Sequence, residues 1–484
     1  MDTEVLVVGA GPTGMTLANE VRIAGVPVVL VDKLAERSRL SKAGGVQSRT
    51  QEAFDQRGLL EPLLATGNHQ ISTAHFAGIP LSLTTGRRQL PWRSIPQVVI
   101  EGVLEAHLAA HGIHVRRGHE LIDLVQDDNG ARATFAGDLT INARYVVAAD
   151  GGRSTVRSLL RAEFPGRAGT VTAVAADVRL DGDVPMLTQM WSEDGHSAQV
   201  FPLGTDPQGR PLHRLALSGP NRSLARDVPV TEAEIRDGLR SVFGAQVRLL
   251  ELRYARRISN AARQAARYRH GRVFLAGDAA HVHLPIGAQG MNTGIQDALN
   301  LGWKLGAAVR DSDLDRLLDT YHTERHPVAA AVLRNVQAQS LLMDREGTRD
   351  PDVAAAKELF ASLAQLREVQ YHLDDMLSGM GIRYPMPGAD DQTLVGLPAP
   401  DLKLGSARLH ELLRSGRGIL LDPSGTLAEI ADPWSDRVDR TGQGAQTEPM
   451  LIRPDGYVCW AAGADHSIDG LASALGHWFG IPHD

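Results

Sequence analysis

The amino-acid sequence predicts an α/β fold with three parts: a split Rossmann-like sheet, a β-sheet domain inserted into it, and a small α/β domain at the C-terminal end. Residues 5–8 form an aliphatic run that leads through a glycine-rich turn into an amphipathic helix. Two further aliphatic runs, at 145–149 and 272–276, have the composition of strands buried on both faces. Residues 173–257 contain several runs that alternate between apolar and polar residues, as half-buried strands do.

Length and composition limit the possible functions. The chain has 484 residues, enough for about three domains at roughly 150 residues each. Its net charge of −7 is spread along the chain, which argues against nucleic acid or an anionic membrane as the main partner. No apolar run is long enough to span a bilayer, and the acidic N-terminus is unlike a signal peptide, so we expect a cytoplasmic protein. The single cysteine, Cys459, excludes an intramolecular disulfide and dithiol chemistry.

The N-terminal segment has the pattern of a dinucleotide-binding unit, in which a buried strand, a glycine-rich turn, a helix and a second strand follow one another. Gly9 permits the tight turn, Gly11 lets the backbone approach a pyrophosphate, and Gly14 lets the helix pack against the strand. Free N–H groups at the start of the helix favour phosphate. Asp32, after the second strand, is placed to bind the ribose of adenosine. The candidate residues of the turn are Gly9, Gly11, Pro12, Thr13 and Gly14.

Two later segments favour FAD over NAD, which the glycine turn alone does not distinguish. Asp150 follows one aliphatic run and precedes a glycine, whereas Asp278 follows a glycine at the end of another. A carboxylate such as Asp278 can accept hydrogen bonds from the ribityl or ribose hydroxyls of FAD. The 285–290 loop has few bulky side chains, so its backbone can lie along the edge of an isoalloxazine ring. The helix that begins near Met291 and Asn292 directs its positive dipole towards the flavin, which favours the reduced anion.

These three motifs, in this order, resemble those of the class A flavoprotein aromatic hydroxylases, the p-hydroxybenzoate and phenol hydroxylase superfamily. Within that superfamily the chain is most similar to the FAD-dependent hydroxylases of actinobacterial aromatic polyketide pathways, of the angucycline and anthracycline type, and to rifampicin monooxygenase. The resemblance covers essentially the whole chain. The segments that carry it are 54–60, 281–292, 319–327, 434–439 and 452–458.

The resemblance adds candidate residues for FAD. Lys42 stands where the family usually has an arginine that contacts FAD, and lysine keeps the charge but not the planar fork. Gln97 matches a family glutamine at the ribityl and phosphate region, and Asp150 matches a residue near both FAD and the path of the pyridine nucleotide. The resemblance also implies that the loop carbonyl near Pro285 orients the oxygen-carrying flavin. The residues expected at the flavin ring are Pro285, Gly287, Gly290, Met291 and Asn292, of which Pro285, Gly287 and Asn292 are the catalytic candidates.

The resemblance implies an FAD-dependent monooxygenase. NADPH or NADH reduces FAD, O₂ adds to give a C4a-hydroperoxyflavin, and the distal oxygen is transferred to an electron-rich aromatic ring. The expected partners are a polycyclic aromatic substrate of polyketide type and O₂, and the expected assembly is a monomer or a homodimer. Two related outcomes stay open: Baeyer–Villiger oxygen insertion on a polyketide, and detoxifying hydroxylation of an aromatic antibiotic such as a rifamycin. The alternative from another class is a flavin-binding assembly partner without turnover.

Patterns that the sequence lacks narrow the class further. No second Gly-x-Gly-x-x-Gly turn follows a strand, so a dedicated NADPH domain is not predicted. Flavin halogenases use a lysine to carry the halogenating species, and no lysine lies within residues 43–303. His281 and His283 would face opposite sides of a strand, and His322 and His326 have no third ligand beside them, so no metal site is predicted.

The inserted sheet is expected to cover the flavin ring and hold a flat aromatic substrate, because ligands favour pockets at domain interfaces. Its candidate substrate residues are Gln189, Trp191, Phe201 and Pro202. The predicted domains are an FAD-binding domain at 1–72, 97–172 and 258–345, a substrate-binding domain at 73–96 and 173–257, a helical connection at 346–395, and a C-terminal domain at 396–484.

The C-terminal domain resembles the thioredoxin-like domain of the phenol hydroxylase branch. Without a Cys-x-x-Cys motif it cannot perform thioredoxin chemistry, so we expect a structural or interface role, with Cys459 in the core. A Pro-Asp-Gly turn at residues 454–456 predicts a hairpin. Helices are predicted over about residues 325–378 and 468–479.

Overall fold

The fold was analysed in a computed structural model, which describes residues 1–38, 40–67, 69–71, 73–82, 90–186, 188–206, 208–219, 224–225, 227–343, 350–389, 393–442, 445–462 and 468–482. Within this described part, no helix is long and apolar enough to cross a membrane. The α-helices are α1 (Pro12–Ile23), α2 (Ser48–Asp55), α3 (Leu60–Ala65), α4 (Gln97–Ala110), α5 (Thr155–Leu159), α6 (Glu232–Phe243), α7 (Gln289–Arg310), α8 (Leu317–Met343), α9 (Pro351–Leu363), α10 (Arg367–Ser378), α11 (Leu409–Leu412), α12 (Ala428–Ala431) and α13 (Leu471–Phe479).

The Rossmann-like sheet has eight strands, and the central ones pair in parallel as predicted. Its strands are aliphatic because they are covered on both faces, and Val5, Leu6 and Val7 are fully buried. Helices α1 and α7 cross closely, because Gly302 and Gly306 of α7 leave room for Glu20 and Ala24 of α1. The strand order is Arg269–His270, Val273–Leu275, Thr140–Ala148, Thr3–Val8, Val28–Asp32 and Arg116–Arg117, with Ala131–Phe135 and Leu121–Gln126 added beside Thr140–Ala148.

The second large sheet is antiparallel and has α6 on one face. Ile235, Leu239 and Phe243 of α6 pack on its apolar side chains. The strand order is Met190–Trp191, Ser197–Thr205, Pro211–Ser218, Thr172–Gly182 and Val247–Ser259. A small antiparallel sheet below it comprises Gly166–Arg167, Ala262–Gln264 and His281–Val282.

Segment 73–96, which the sequence assigns to the same domain as 173–257, shares no sheet with that region in the described residues. Thr73–Phe76 and Ile79–Ser82 form a separate hairpin, whose apolar side packs on α9 and α10; the rings of Phe76 and Phe360 lie 4.8 Å apart. Trp92–Ser94 pairs instead with Gly45–Val46 and His69–Ile71. Alternation alone could not reveal this grouping, because helices can cover the apolar face of a hairpin as well as a sheet can. The domain boundaries therefore stay a proposal.

Helices α8 and α13 begin at residues other than the predicted ones. Helix α8 begins at Leu317 and continues through Pro327, because the packing of its buried residues outweighs the lost N–H. Helix α13 begins at Leu471, since Gly470 adopts a left-handed backbone with φ of 80°.

The C-terminal domain has a mixed four-stranded sheet, and Cys459 is buried in it as predicted. The predicted hairpin at residues 454–456 is confirmed. The strand order is Val438–Thr441, Gly418–Leu421, Met450–Ile452 and Val458–Ala461, and Lys403–Leu404 pairs separately with Ala407–Arg408.

Buried charges join the C-terminal domain to the rest of the molecule. Arg453 of the hairpin donates to Glu324 of α8 at 2.7 Å and to Asp455 at 2.5 Å, and all three side chains are at most 1% exposed. Lys304 of α7 donates to the same Glu324 at 2.7 Å. Burial lowers the pKa of Lys304 to about 8, whereas the surrounding cations outweigh burial and lower the pKa of Glu324 to about 2.

Removing one member of this cluster should destabilise the fold strongly. We expect Arg453→Met to lower the free energy of unfolding by about 3–5 kcal/mol, because two carboxylates would lose their principal buried cation. Urea unfolding followed by tryptophan fluorescence measures this. The control is Arg248→Met, which breaks a solvent-exposed pair with Asp181 and should cost less than about 1 kcal/mol. Equal losses in the two variants would contradict the proposed role of the buried cluster.

Candidate active site

The glycine turn leaves the N-terminal end of α1 accessible to a ligand. Gly9 has a φ of 106°, and a Cβ on it would lie 2.4 Å from the carbonyl oxygen of Ala149. A Cβ on Gly14 would lie 1.9 Å from the oxygen of Gly9, so both positions require glycine. Gly11 precedes α1 with no side-chain cap, and nothing in the described residues lies within 4 Å of a Cβ built on it. The turn can therefore admit a bulky anionic group at the first N–H groups of the helix.

Asp32 secures this turn to the second strand. Its two carboxylate oxygens accept backbone N–H groups from Ala10 and Leu34, each at 2.8 Å. Each oxygen keeps a further lone pair for a ribose hydroxyl. The ribose-binding role of Asp32 stays a prediction.

The three sequence motifs meet at the C-terminal edge of the Rossmann-like sheet. Thr13 of α1 lies against Gly277 and Gly294, where a Cβ would approach its Oγ1 to 2.7 Å and 2.4 Å. Arg157 donates to the carbonyls of Gly152 at 2.9 Å and Ala279 at 2.8 Å. Arg157 therefore joins the Asp-Gly segment to the Gly-Asp segment.

A fully buried carboxylate, Asp297 in α7, holds the Gly-Asp segment in place. It accepts hydrogen bonds from the N–H of Gly277 at 3.1 Å, from His281 at 2.8 Å and from Arg325 of α8 at 2.7 Å. Burial raises the pKa of Asp297, but Arg325 and His281 outweigh it, so the net shift is downward and the carboxylate stays ionised. The sequence analysis did not identify Asp297. A carboxylate on the otherwise apolar inner face of a predicted helix could have indicated a buried, paired charge.

The 285–290 loop has an unusual backbone. Gly287 and Ala288 both adopt left-handed conformations, with φ of 69° and 53°, and this geometry is unfavourable for Ala288. Asn292 stabilises it, because its side-chain nitrogen donates to the carbonyls of Ala288 at 2.6 Å and Gly45 at 3.0 Å. Its side-chain oxygen accepts the N–H of Gln47 at 3.0 Å. The geometry gives Asn292 a positioning role, and its predicted catalytic role stays a prediction.

The remaining loop residues lie at the start of α7. Pro285 is exposed, whereas Gly290 and Met291 are half-buried in the first turn of the helix. No side chain caps this helix end, so its first N–H groups can face a developing negative charge. Their contacts with FAD stay predictions.

The carboxylates of the two later motifs face different environments. Asp150 accepts the N–H of Val156 at 3.1 Å through one oxygen, while its other oxygen is buried with no hydrogen-bond partner in the described residues. Burial raises the pKa of Asp150. Asp278 is exposed at the same edge of the sheet. Both carboxylates have acceptor capacity for hydroxyl groups of a ligand.

The five-stranded sheet turns one face, which we call the open face, away from α6. Registered pairs place Gln199, Ala216 and Ala175 side by side, with Phe201 and Trp191 on the same face. Pro202 alternates onto the other face and is exposed, which separates it from Phe201. Gln189 is half-buried next to the edge strand. The substrate roles of these residues stay predictions.

The open face lies over the segment that precedes α2. Arg214 pairs with Asp177 across the sheet and donates to the carbonyl of Ser41, and Arg256 donates to the carbonyl of Lys42. The Lys42 side chain is exposed. Gln97 begins α4 and donates to Glu101 at 2.7 Å. The FAD contacts predicted for Lys42 and Gln97 stay predictions.

A cleft of about 390 Å³ opens beside the Asp-Gly segment. It is lined by Gly152, Arg157, Phe164, Arg263 and Val282, together with Thr172 and Ser259 of the five-stranded sheet. The half-buried guanidinium of Arg263 has no hydrogen bond or ion pair in the described part of the chain. The cleft can therefore receive an anionic ligand.

One group of potential metal ligands occurs in the described residues, formed by Asp55, Asp401 and His410. Arg408 donates to both carboxylates, so a guanidinium already balances their charge. These ion pairs link α2 to the C-terminal domain.

Comparison with known proteins agrees with this geometry. The FAD binding domain family matches residues 2–336, and the aromatic-ring hydroxylase C-terminal family matches residues 392–482. The chain belongs to the FAD-dependent aromatic-ring hydroxylases. These comparisons confirm the predicted family, the α/β fold and the cofactor FAD. The protein is a monooxygenase.

Two curated relatives and one solved structure are similar along their whole length. A 12-dehydrotetracycline 5-monooxygenase/anhydrotetracycline 6-monooxygenase from Streptomyces rimosus is 38% identical over 513 residues, which covers 100% of both chains. A rifampicin monooxygenase from Streptomyces venezuelae is 39% identical, over 99% of this chain and 98% of that one. The structure of CabE, an aromatic hydroxylase from angucycline biosynthesis, superimposes with a TM-score of 0.89 at 34% identity, with both chains fully covered.

The residues at the site fit FAD. The glycine turn has room for a phosphate at the uncapped start of α1, and Asp150 holds a buried acceptor atom without a partner in the described residues. When bound there, FAD supplies the redox chemistry, taking electrons from NAD(P)H and activating O₂. The residues of the glycine turn and the 285–290 loop would bind the cofactor and orient it.

The contact between Gly45 and the 285–290 loop offers a direct test of loop positioning. A Cβ on Gly45 would lie 2.7 Å from the Cβ of Ala288, so Gly45→Ala should displace the loop and weaken FAD binding about tenfold. Ala288→Gly removes the opposing methyl group and the backbone strain, so the double variant should recover wild-type affinity. Quenching of FAD fluorescence measures the dissociation constants. A double variant as weak as Gly45→Ala would contradict the clash.

Proposed function

We propose that this enzyme hydroxylates a polycyclic aromatic substrate of polyketide type, using FAD, NAD(P)H and O₂. The observation that carries the proposal is the open face of the five-stranded sheet. On it the small side chains Ala216 and Ala175 stand side by side, between the longer Gln199 and Arg256 of the two flanking strands. Small residues in the middle of a sheet leave a flat space, and the bordering Phe201 can stack on an aromatic ring.

The relatives support the same substrate class. Their names describe monooxygenation of tetracyclines and rifampicin, and the CabE title describes an aromatic hydroxylase of angucycline biosynthesis. These are large ring systems with phenolic groups, which suit oxygen transfer to an electron-rich carbon. We therefore propose a polyketide-type substrate rather than a small phenol.

The proposed work of the protein is positioning. The uncapped start of α7 would stabilise negative charge on a flavin bound there, and the 285–290 loop would position it. The open face excludes water from the reacting atoms. No side chain has to act as a base, because a polyphenolic substrate is acidic enough to ionise with little help.

We infer that NAD(P)H approaches through the cleft beside the Asp-Gly segment. The guanidinium of Arg263, which has no partner among the described residues, suits the phosphates of a pyridine nucleotide, and Gly152 brings the cleft next to the proposed FAD site. The cleft would let the reductant bind transiently, without a separate nucleotide-binding domain.

The function is tested by assaying the purified enzyme. We expect a yellow protein with the absorption spectrum of FAD, and NADPH or NADH oxidation that accelerates with tricyclic or tetracyclic phenols and quinones. Mass spectrometry and NMR of the product decide between hydroxylation and lactone formation by oxygen insertion. A panel that includes rifampicin separates a biosynthetic from a detoxifying substrate. Reductant oxidation without any oxygenated product from either group would contradict the proposal.

The reductant path is tested by Arg263→Ala. We expect the KM for NAD(P)H to rise about tenfold, because loss of a charge-assisted hydrogen bond costs about 1.5 kcal/mol. The FAD dissociation constant should stay unchanged. Arg167→Ala, which removes an exposed arginine of the neighbouring strand, is the control and should leave the KM unchanged. A wild-type KM in Arg263→Ala would exclude this path.

A further inference from the structure

His283 carries a polar atom that the interactions described above do not use. Its Nδ1 lies 2.8 Å from the carbonyl oxygen of Leu284. A carbonyl can only accept, so Nδ1 bears the proton and the neutral ring presents a lone pair at Nε2. This Nε2 is shielded from solvent and has no hydrogen-bond partner in the part of the chain that the structure describes. A buried acceptor without a partner calls for a donor from a ligand.

The position of His283 Nε2 near Asp278 and the start of α7 indicates which ligand it binds. A Cβ built on Gly290 would lie 3.6 Å from His283 Nε2 and 3.8 Å from Asp278 Oδ1. The two acceptors therefore flank the first turn of α7, at the edge of the sheet where the three FAD motifs meet. Burial lowers the pKa of His283, which keeps the ring an acceptor at neutral pH.

A ligand at these two acceptors, both within 4 Å of a Cβ built on Gly290, has to be one that donates hydrogen bonds. The donors of FAD are its ribityl hydroxyls, its ribose hydroxyls, the flavin N3–H and the adenine amine. The adenosine end is expected at Asp32, whose strand lies three places along the sheet from Val273–Leu275. The ribityl chain, which joins the pyrophosphate to the flavin ring, offers several hydroxyls between the glycine turn and the 285–290 loop.

We propose that His283 is an FAD-binding residue, whose Nε2 accepts a hydrogen bond from a ribityl hydroxyl beside the carboxylate of Asp278. His281, two residues earlier, faces the opposite side and bonds to Asp297. The alternation predicted for this strand thus gives one histidine a structural role and the other a ligand role. The proposal rests on FAD as the cofactor of the enzyme.

The test measures FAD binding to the full-length protein after removal of its flavin. We expect His283→Leu to raise the FAD dissociation constant about three- to tenfold, the effect of one lost hydrogen bond. His283→Gln keeps an acceptor at a similar distance and should stay within about twofold of wild type. His322→Leu is the matched control, because His322 also has a buried ring nitrogen without a partner among the described residues but lies on α8.

Deoxy analogues of FAD separate a ligand role from a merely structural one. Wild type should bind one of the 2′-, 3′- and 4′-deoxyribityl analogues more weakly than FAD, and His283→Leu should bind that analogue no more weakly than wild type does. Equal losses with all three analogues, or unchanged FAD binding in His283→Leu, would overturn the proposal. His283→Ala is the second variant if His283→Leu does not fold, as judged by circular dichroism. Wild type that binds no FAD would instead refute the cofactor itself.

Discussion

Two adjacent residues of α8, Glu324 and Arg325, carry opposite charges into the interior, and the arrangement of the whole molecule depends on them. Arg325 neutralises Asp297 and thereby stabilises the Gly-Asp segment on α7. Glu324 binds Arg453 and thereby docks the C-terminal hairpin. Buried charges are costly unless each is paired, so loss of either contact would leave a buried group with one fewer opposite charge. Because Glu324 and Arg325 are adjacent in α8, the two buried ion pairs lie within a single turn of that helix.

These buried ion pairs indicate a structural role for the C-terminal domain. It cannot perform dithiol chemistry, because it has no pair of cysteines. Its hairpin supplies Arg453 and Asp455 to the interior, and Arg57 of the FAD-binding region donates to the carbonyls of Leu413 and Pro454. The domain thus packs against α7 and α8, whose residues Trp303, Ala307 and Leu317 share its hydrophobic core.

The site combines a rigid half with an adaptable half. On the FAD side, close backbone contacts and buried hydrogen bonds leave little freedom, as the packing of Gly45 against Ala288 illustrates. On the proposed substrate side, Ala175 and Ala216 of the open face point away from the α6 core, so a change of side-chain size there would not disturb that core.

The sequence by itself determined the family, the α/β fold, the cofactor and the strands that carry the three motifs, because these depend on local patterns of glycine, aliphatic residues and carboxylates. It also anticipated the opposite orientation of His281 and His283 and the burial of Cys459. Only the tertiary structure decided which side chains meet: Asp297 with Arg325, or the hairpin at 73–82 with α9 and α10. Such contacts join residues far apart in the chain, and local periodicity shows that a residue is buried without showing what it is buried against.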